Sequence, residues 1–219
     1  MPGESSIAFG GHFETHLTIA ASTESQVACL QTWATERRLK CLHIQLSRGT
    51  TPSQPMLTWH SSGDLSEQMI RIRNMSANLR HDGFRVVRAK LEVSADHDDV
   101  PTDDAAAQQA DKSRYFEHHI KLLLPADSDL MALQQLAERH GAQLSRNALR
   151  QRDDDWQERF VTQRCQQVGR DSAQAALQRL LHALTIAGFN IIETEAEYVV
   201  YDSNLSLDAG WIEEGVIHE

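Results

Sequence analysis

Cysteine is scarce and unpaired. Cys29, Cys41 and Cys165 are an odd number, far apart and without a C-x-x-C spacing, which argues against a disulfide framework and for core thiols in a reduced, cytoplasmic setting. No stretch approaches the length needed to span a bilayer, and Met1–Gly11 has no basic region followed by an apolar core, so neither membrane insertion nor a signal peptide is expected. Basic runs are missing too. A sequence-independent nucleic-acid binder needs a concentrated basic surface to release phosphate counterions, so DNA and duplex RNA are not expected partners. Trp33, Trp59, Trp156 and Trp211 are scattered without a base-stacking pattern and read as packing residues.

Acid is plentiful but localised. The 219-residue chain carries 31 Asp and Glu against 21 Lys and Arg. Residues 94–113 hold six Asp against Lys112 alone, and residues 202–219 hold five acids with no Lys or Arg. The remaining body is balanced, so the overall acidity belongs to a linker and a tail, both read as solvated.

The chain repeats itself. Phe13-Glu14-Thr15-His16-Leu17-Thr18-Ile19 matches Phe116-Glu117-His118-His119-Ile120-Lys121-Leu122 at an offset of 103, and Gly83-Phe84-Arg85-Val86-Val87 matches Gly188-Phe189-Asn190-Ile191-Ile192 at 105. Leu57-Thr58 falls on Val161-Thr162, and Gln45-Leu46-Ser47-Arg48 recurs as Gln143-Leu144-Ser145-Arg146. Such ordered matches indicate a tandem internal duplication whose period is too long for a solenoid.

Each copy reads as strand, helix, strand, strand, helix, strand. In the first, alternation marks strands at 12–20, 40–47, 55–60 and 84–93. A helix over 23–38 places Val27, Leu30 and Ala34 on one stripe, and Asp64 with Glu67 opens a second that Gly83 ends. The second copy repeats this with strands at 114–124, 142–149, 157–165 and 189–201 and helices at 128–140 and 172–187. The fold class is therefore α+β, a tandem duplication of a ferredoxin-like βαββαβ unit with antiparallel sheets. The expected organisation is a first repeat over 1–93, an acidic and mobile linker over 94–113, a second repeat over 114–202, and an acidic C-terminal tail over 203–219. The tail either docks a partner or folds back through Leu205, Leu207 and Trp211.

Helices cover one face of such a sheet, and strand alternation says what the other face carries. It carries Glu14, His16 and Thr18; His43 and Gln45; Thr58 and His60; Arg88, Lys90 and Glu92. The second copy adds Glu117, His119 and Lys121; Thr162 and Arg164; Glu193, Glu195 and Glu197. The plainest reading is two solvated sheet faces. Against it, Glu-x-His recurs at matching places, which is more particular than generic polar composition.

Three functional readings follow. In the first, the two faces form a cleft for an anionic, phosphorylated small molecule: Arg48, Lys121, Arg146, Arg159 and Arg164, with Glu195 nearby, line the ligand, and His16 or His119 acts as general acid or base beside Glu14 or Glu117, with phosphoester hydrolysis as the reaction class. In the second, Glu14, His16, Glu117 and His119 bind a divalent metal, a mixed nitrogen and oxygen set suited to zinc, manganese or iron, provided that the two first strands approach each other. In the third, the chain is a non-enzymatic interaction or regulatory module that meets a protein partner or a second copy of itself as a homodimer.

Two resemblances bear on these readings. Glu117-x-His119-x-Lys121 followed by Arg159 and Arg164 is similar to the Glu-x-Glu-x-Lys strand and arginine pairs of the triphosphate-tunnel hydrolases and cyclases, with His119 where that family has its second Glu. The resemblance spans residues 116–164 and implies phosphate chemistry with a divalent metal, on which the substituted carboxylate bears directly. His16-Leu17-Thr18 resembles one half of the His-x-Thr pair of two-histidine phosphoesterases; the counterpart His119-Ile120-Lys121 lacks the hydroxyl.

Overall fold

The computed structural model describes residues 9–150 and 154–212; the tail beyond Ile212 lies outside the described residues. The first repeat contributes β1 (Gly10–Ile19), α1 (Glu24–Glu36), β2 (Lys40–Leu46), β3 (Ser53–Asp64), α2 (Leu65–His81) and β4 (Val86–Ser94). After α3 (Asp104–Gln109), the second contributes β5 (Tyr115–Pro125), α4 (Leu130–Arg139), β6 (Ala142–Asn147), β7 (Trp156–Gln166), α5 (Arg170–Ile186) and β8 (Ile191–Asp202). The fold is α+β and antiparallel, built from two βαββαβ units. Local signals act as the sequence implies: Thr23 and Asp64 each form a reciprocal capping box with the residue three positions on.

The two units do not make separate sheets. All eight strands close one barrel in the order β1-β3-β2-β6-β7-β5-β8-β4, with β4 returning to β1. The seams between units are β2 against β6 and β4 against β8. Register reveals a pseudo-twofold relation: Leu17 faces Leu57 where Ile120 faces Val161, and Glu14 faces Glu92 where Glu117 faces Glu197. Matching irregularities at Thr18/Ile19 and Lys121/Leu122 strengthen it.

Closure decides what the alternating side chains meet. Outward-facing Phe13, Leu17, Leu57 and Leu91 pack under α1 and α2, with Leu30 and Leu79 fully buried among them. Ile120, Leu122, Leu144 and Val161 do the same under α4 and α5. Burying each such side chain contributes roughly 1.5–3 kcal/mol. The polar faces become the barrel interior, so Thr58, Arg88, Glu92, Glu117 and Thr162 are buried there and are not solvated walls.

Two details of the sequence reading change. His43 and Gln45 point out of the barrel: Leu42 pairs with Met56 and Ile44 with Gln54, so Leu42, Ile44 and Leu46 are the inward set of β2. Apolar residues face inward here because Leu46 and Ile44 pack against Trp211 and Ile212 at one end of the barrel. The Gln-Leu-Ser-Arg match is also out of register, since Cys41 pairs with Leu57 as Leu144 pairs with Val161, making the true offset on these strands 103.

The segment between units is pinned rather than loose. Asp104 accepts from the Gly169 backbone N–H at 2.7 Å and from Ser172 at 3.0 Å, serving the otherwise uncapped start of α5. Arg170 and Asp171 donate backbone N–H groups to Pro101 and Thr102. Gly169 permits this approach, because a Cβ there would lie 2.3 Å from the Asp103 backbone.

Candidate functional site

The inward residues converge near the pseudo-twofold. His16 on β1 places Nε2 2.6 Å from the Glu92 carboxylate on β4, while its Nδ1 meets the Thr58 hydroxyl at 2.9 Å. The related set on β5 and β7 repeats this, with His119 Nδ1 3.1 Å from the Thr162 hydroxyl. His119 Nε2 thereby faces inward, 3.4 Å from Glu117 and 3.6 Å from Glu197. Each threonine fixes which imidazole nitrogen is free.

Two cations sit among these acids. Lys90 Nζ lies 2.7 Å from Glu92 and bonds Glu117. Arg164 donates to Glu117 through Nε and Nη2 at 3.2 and 2.9 Å. Farther in, Arg88 is held by Asp202 and Asp208, and the Tyr115 hydroxyl donates to Asp202 at 2.8 Å. Arg88, Lys90 and Arg164 thus pair with four carboxylates, Glu92, Glu117, Asp202 and Asp208, while Glu14 and Glu197 approach histidines.

Proton affinities record that imbalance. Burial pulls the Glu92 carboxyl up, but Lys90 and His16 outweigh it and hold the group at about 2. Burial likewise opposes ionisation of Glu117, which Lys90 and Arg164 keep well below the usual carboxylate range. Glu197 forms no ion pair with Lys or Arg among the described residues. Burial, reinforced by Glu92, Glu14 and Glu117 and only partly opposed by Lys90, pushes it up to about 10. The cluster lacks positive charge at Glu197.

Glu92, His119 and Glu197 each offer a ligand atom, and these atoms lie within 4.8 Å of one another. An open cavity of about 490 Å³ reaches two of the three, Glu92 and Glu197, its wall including Glu14, His60 and Glu195 as well as the apolar Phe13, Val93 and Ala196. The two Glu-x-His strands do not pair: β4 and β8 lie between β1 and β5, and of the four donors expected from the sequence only His119 belongs to this group, with His16 on Glu92's other side.

Of the residues expected at the site, Glu14, His16, Glu117 and His119 are brought together, and Glu195 stands exposed at the cavity mouth. Arg164 is interior and bound to carboxylates. Lys121 is taken by Glu158 at 3.3 Å and reaches Glu193 at 3.8 Å. The other three arginines are elsewhere: Arg48 pairs with Glu138 on α4, Arg146 bonds Gln45 on the outer face, and Arg159 faces outward opposite Leu122. A phosphate grip assembled from all five cations is therefore absent; alternation sends Arg146 and Arg159 to the wrong side. Glu92 and Glu197 were on the correct face in the sequence but carried no mark separating them from Glu193 and Glu195. Pairing opposite Glu14 and Glu117 is what singles them out.

No protein-family model matches the chain, and no curated protein sequence matches it. Among solved structures, the acetolactate synthase small subunit from Thermotoga maritima aligns at 12% identity over 86% of this chain and 94% of that one, with a TM-score of 0.29. The ligand-free regulatory subunit of aspartate kinase from Thermus thermophilus aligns at 12% identity over 80% and 94%, TM-score 0.32. A mutant chlorite dismutase from Candidatus Nitrospira defluvii aligns at 14% identity over 88% and 92%, TM-score 0.29. With scores this low, the fold rests on the strand pairing itself.

Proposed function

We propose that the barrel binds a divalent transition-metal ion through Glu92, Glu197 and His119 Nε2, and that the open cavity admits a small molecule to that ion. The observation that carries this reading is the uncompensated Glu197, a carboxyl raised to about 10 whose oxygen shares a 4.8 Å neighbourhood with another carboxylate and an imidazole. A cation there would remove the repulsion that holds the proton on. The mixed nitrogen and oxygen donors suit zinc, manganese or iron. Thr162 would orient His119 from behind, and the His16–Thr58 pair would steady Glu92 from its far side.

Three protein donors would leave such an ion room for a further ligand, and Glu92 and Glu197 line the cavity through which one could arrive. The anionic small molecule suggested by the sequence then enters as a ligand of the metal, because the interior cations Lys90, Arg164 and Lys121 are already held by carboxylates. The chemistry available to such a site is polarisation of a ligand oxygen or activation of a bound water, as phosphoester hydrolysis requires.

Thermal unfolding of chelator-treated protein with Zn²⁺, Mn²⁺ or Fe²⁺ tests the proposal. At an ion concentration of 100 Kd the native state gains about 2.7 kcal/mol. For a chain of this size that raises Tm by roughly 5–11 °C. His119→Ala and Glu197→Gln should lose the response while retaining a cooperative transition. Failure of all three ions to shift wild-type Tm refutes the site.

A further inference from the structure

The segment after β8 turns a charged side chain into the barrel. Asp208, at the end of a short 3-10 turn (Leu205–Asp208), is 3% exposed. Its Oδ2 accepts from Arg88 Nη1 and Arg164 Nη2, both at 2.8 Å, and its Oδ1 accepts from Gln54 Nε2 at 3.0 Å. The three donors come from β4, β7 and β3, so the receiving wall draws on both repeats. The occupant's segment is held on both sides of it: Ser203 exchanges hydrogen bonds with the Ala89 backbone and Asn204 donates to the Val87 carbonyl, then Thr50 donates its N–H to Ala209, Trp211 Nε1 donates to the Leu144 carbonyl, and Trp211 and Ile212 pack on Leu46.

Each arginine has a second carboxylate besides the tail's Asp208. Arg88 already holds Asp202 through Nε and Nη2, and Arg164 already holds Glu117 through Nε and Nη2. What remains is directional: one N–H from Arg88, one from Arg164 and the Gln54 amide all point at one position. Two guanidinium donors and an amide converging in a buried space form a recognition geometry for a carboxylate or a phosphoryl oxygen. Asp208 satisfies it at the high effective concentration of a tethered group.

We infer that this end of the barrel is an anion receptor for the carboxylate or phosphoryl group of a small molecule, which Asp208 occupies in cis, so that tail release and anion binding exchange. The position uses none of Glu92, His119 and Glu197, although Arg164 joins the two regions through Glu117, and it assigns to Arg88 and Arg164 a ligand that reaches the barrel from the end opposite the cavity at Glu14 and Glu197.

The test uses the full chain, chelator-treated so that no response passes through a metal. Asp208→Ala and wild type are melted in sodium phosphate, in sodium acetate and in sodium chloride of equal ionic strength. The variant should melt several degrees lower than wild type in chloride and recover at least half of the loss, saturably, in phosphate or acetate. Wild type should show no saturable difference among the salts. Recovery in phosphate alone assigns a phosphoryl group; recovery in acetate assigns a carboxylate. If Asp208→Ala does not fold in chloride, its refolding yield in each salt becomes the readout, with Asp208→Asn as a second variant that fills the position without charge. Equal behaviour in all three salts for both variants overturns the inference, as does an equal phosphate response in wild type.

Discussion

Glu197→Gln gives the sharpest test of the electrostatics, because it reverses the usual expectation for removing a buried polar charge. With its pKa raised to about 10 in the folded state and ordinary in the unfolded chain, Glu197 of the metal-free protein keeps its proton at neutral pH while the unfolded state releases it. The folded state binds the extra proton, so stability falls as pH rises between about 4.5 and 10, by at most ~1.4 kcal/mol per pH unit. Three units above the unfolded value, at about pH 7.5, the accumulated cost reaches ~4 kcal/mol as an upper bound. The proton is shared within a cluster and the side chain is 15% exposed, so half of that, ~2 kcal/mol, is a fairer magnitude. Glutamine keeps the shape and carries no charge. In chelator-treated protein at pH 7.5, Glu197→Gln should therefore raise Tm by roughly 4–8 °C. Urea titrations from pH 5.5 to 8.5 should show a falling midpoint in wild type and a flatter one in the variant. A variant less stable than metal-free wild type at pH 7.5, or one with an unchanged slope, refutes the account of Glu197 given above.

The acid limb should behave oppositely. Glu92, Glu117, Asp202 and Asp208 are all held below their ordinary values, so their contributions are present above about pH 4 and vanish as pH falls through the folded values; Asp202→Asn should cost about 3 kcal/mol at pH 7 by stranding part of the buried Arg88, measured by urea unfolding, with a smaller difference from wild type at pH 3. Thr162→Val removes the hydroxyl that orients His119 and should weaken metal binding by about 10-fold or more in calorimetric titration while leaving the fold intact. Gly169→Ala drives a Cβ into the Asp103 backbone and should cost roughly 1–3 kcal/mol, detectable as faster proteolysis within residues 94–113.

Strand alternation and capping residues made most elements legible. Every strand and long helix lies within a few residues of its sequence-derived position, and the polar inner face was identified on six of the eight strands. On β6 no inner face was assigned, and β2 misled because alternation says which side chains share a face but not which face the helices cover; Leu42, Ile44 and Leu46 look like a helix-facing stripe and instead face inward, where Ile44 and Leu46 pack on Trp211. Barrel closure was not legible for a related reason. The seams β2–β6 and β4–β8 are made of backbone hydrogen bonds, which leave little side-chain signature. Without closure, faces of Glu, His and Arg read as solvated walls. The acidic segments misled similarly, since composition cannot separate an Asp in water from Asp104 at a helix start or Asp208 between two arginines.

Comparison across the pseudo-twofold shows where the repeats diverged. Glu14, His16, Thr58 and Glu92 correspond to Glu117, His119, Thr162 and Glu197, so both copies keep the same acid, imidazole and hydroxyl framework. The differences lie in the cations. Lys90 stands where the second copy has Glu195, and Arg164 stands where the first has His60. One carboxylate of each related pair, Glu117, gained two strong cationic partners, whereas Glu14 has only histidines at 3.8 Å. Glu92 is paired directly with Lys90, whereas its mate Glu197 feels Lys90 only at longer range and is outweighed by burial and the neighbouring carboxylates. A symmetric barrel would present two equivalent half-sites or none. Asymmetric placement of Lys90 and Arg164 instead satisfies one carboxylate in each pair and leaves the other member of the Glu92 pair, the proton-holding Glu197, beside His119 and on the wall of the open cavity, where a cation could take the proton's place.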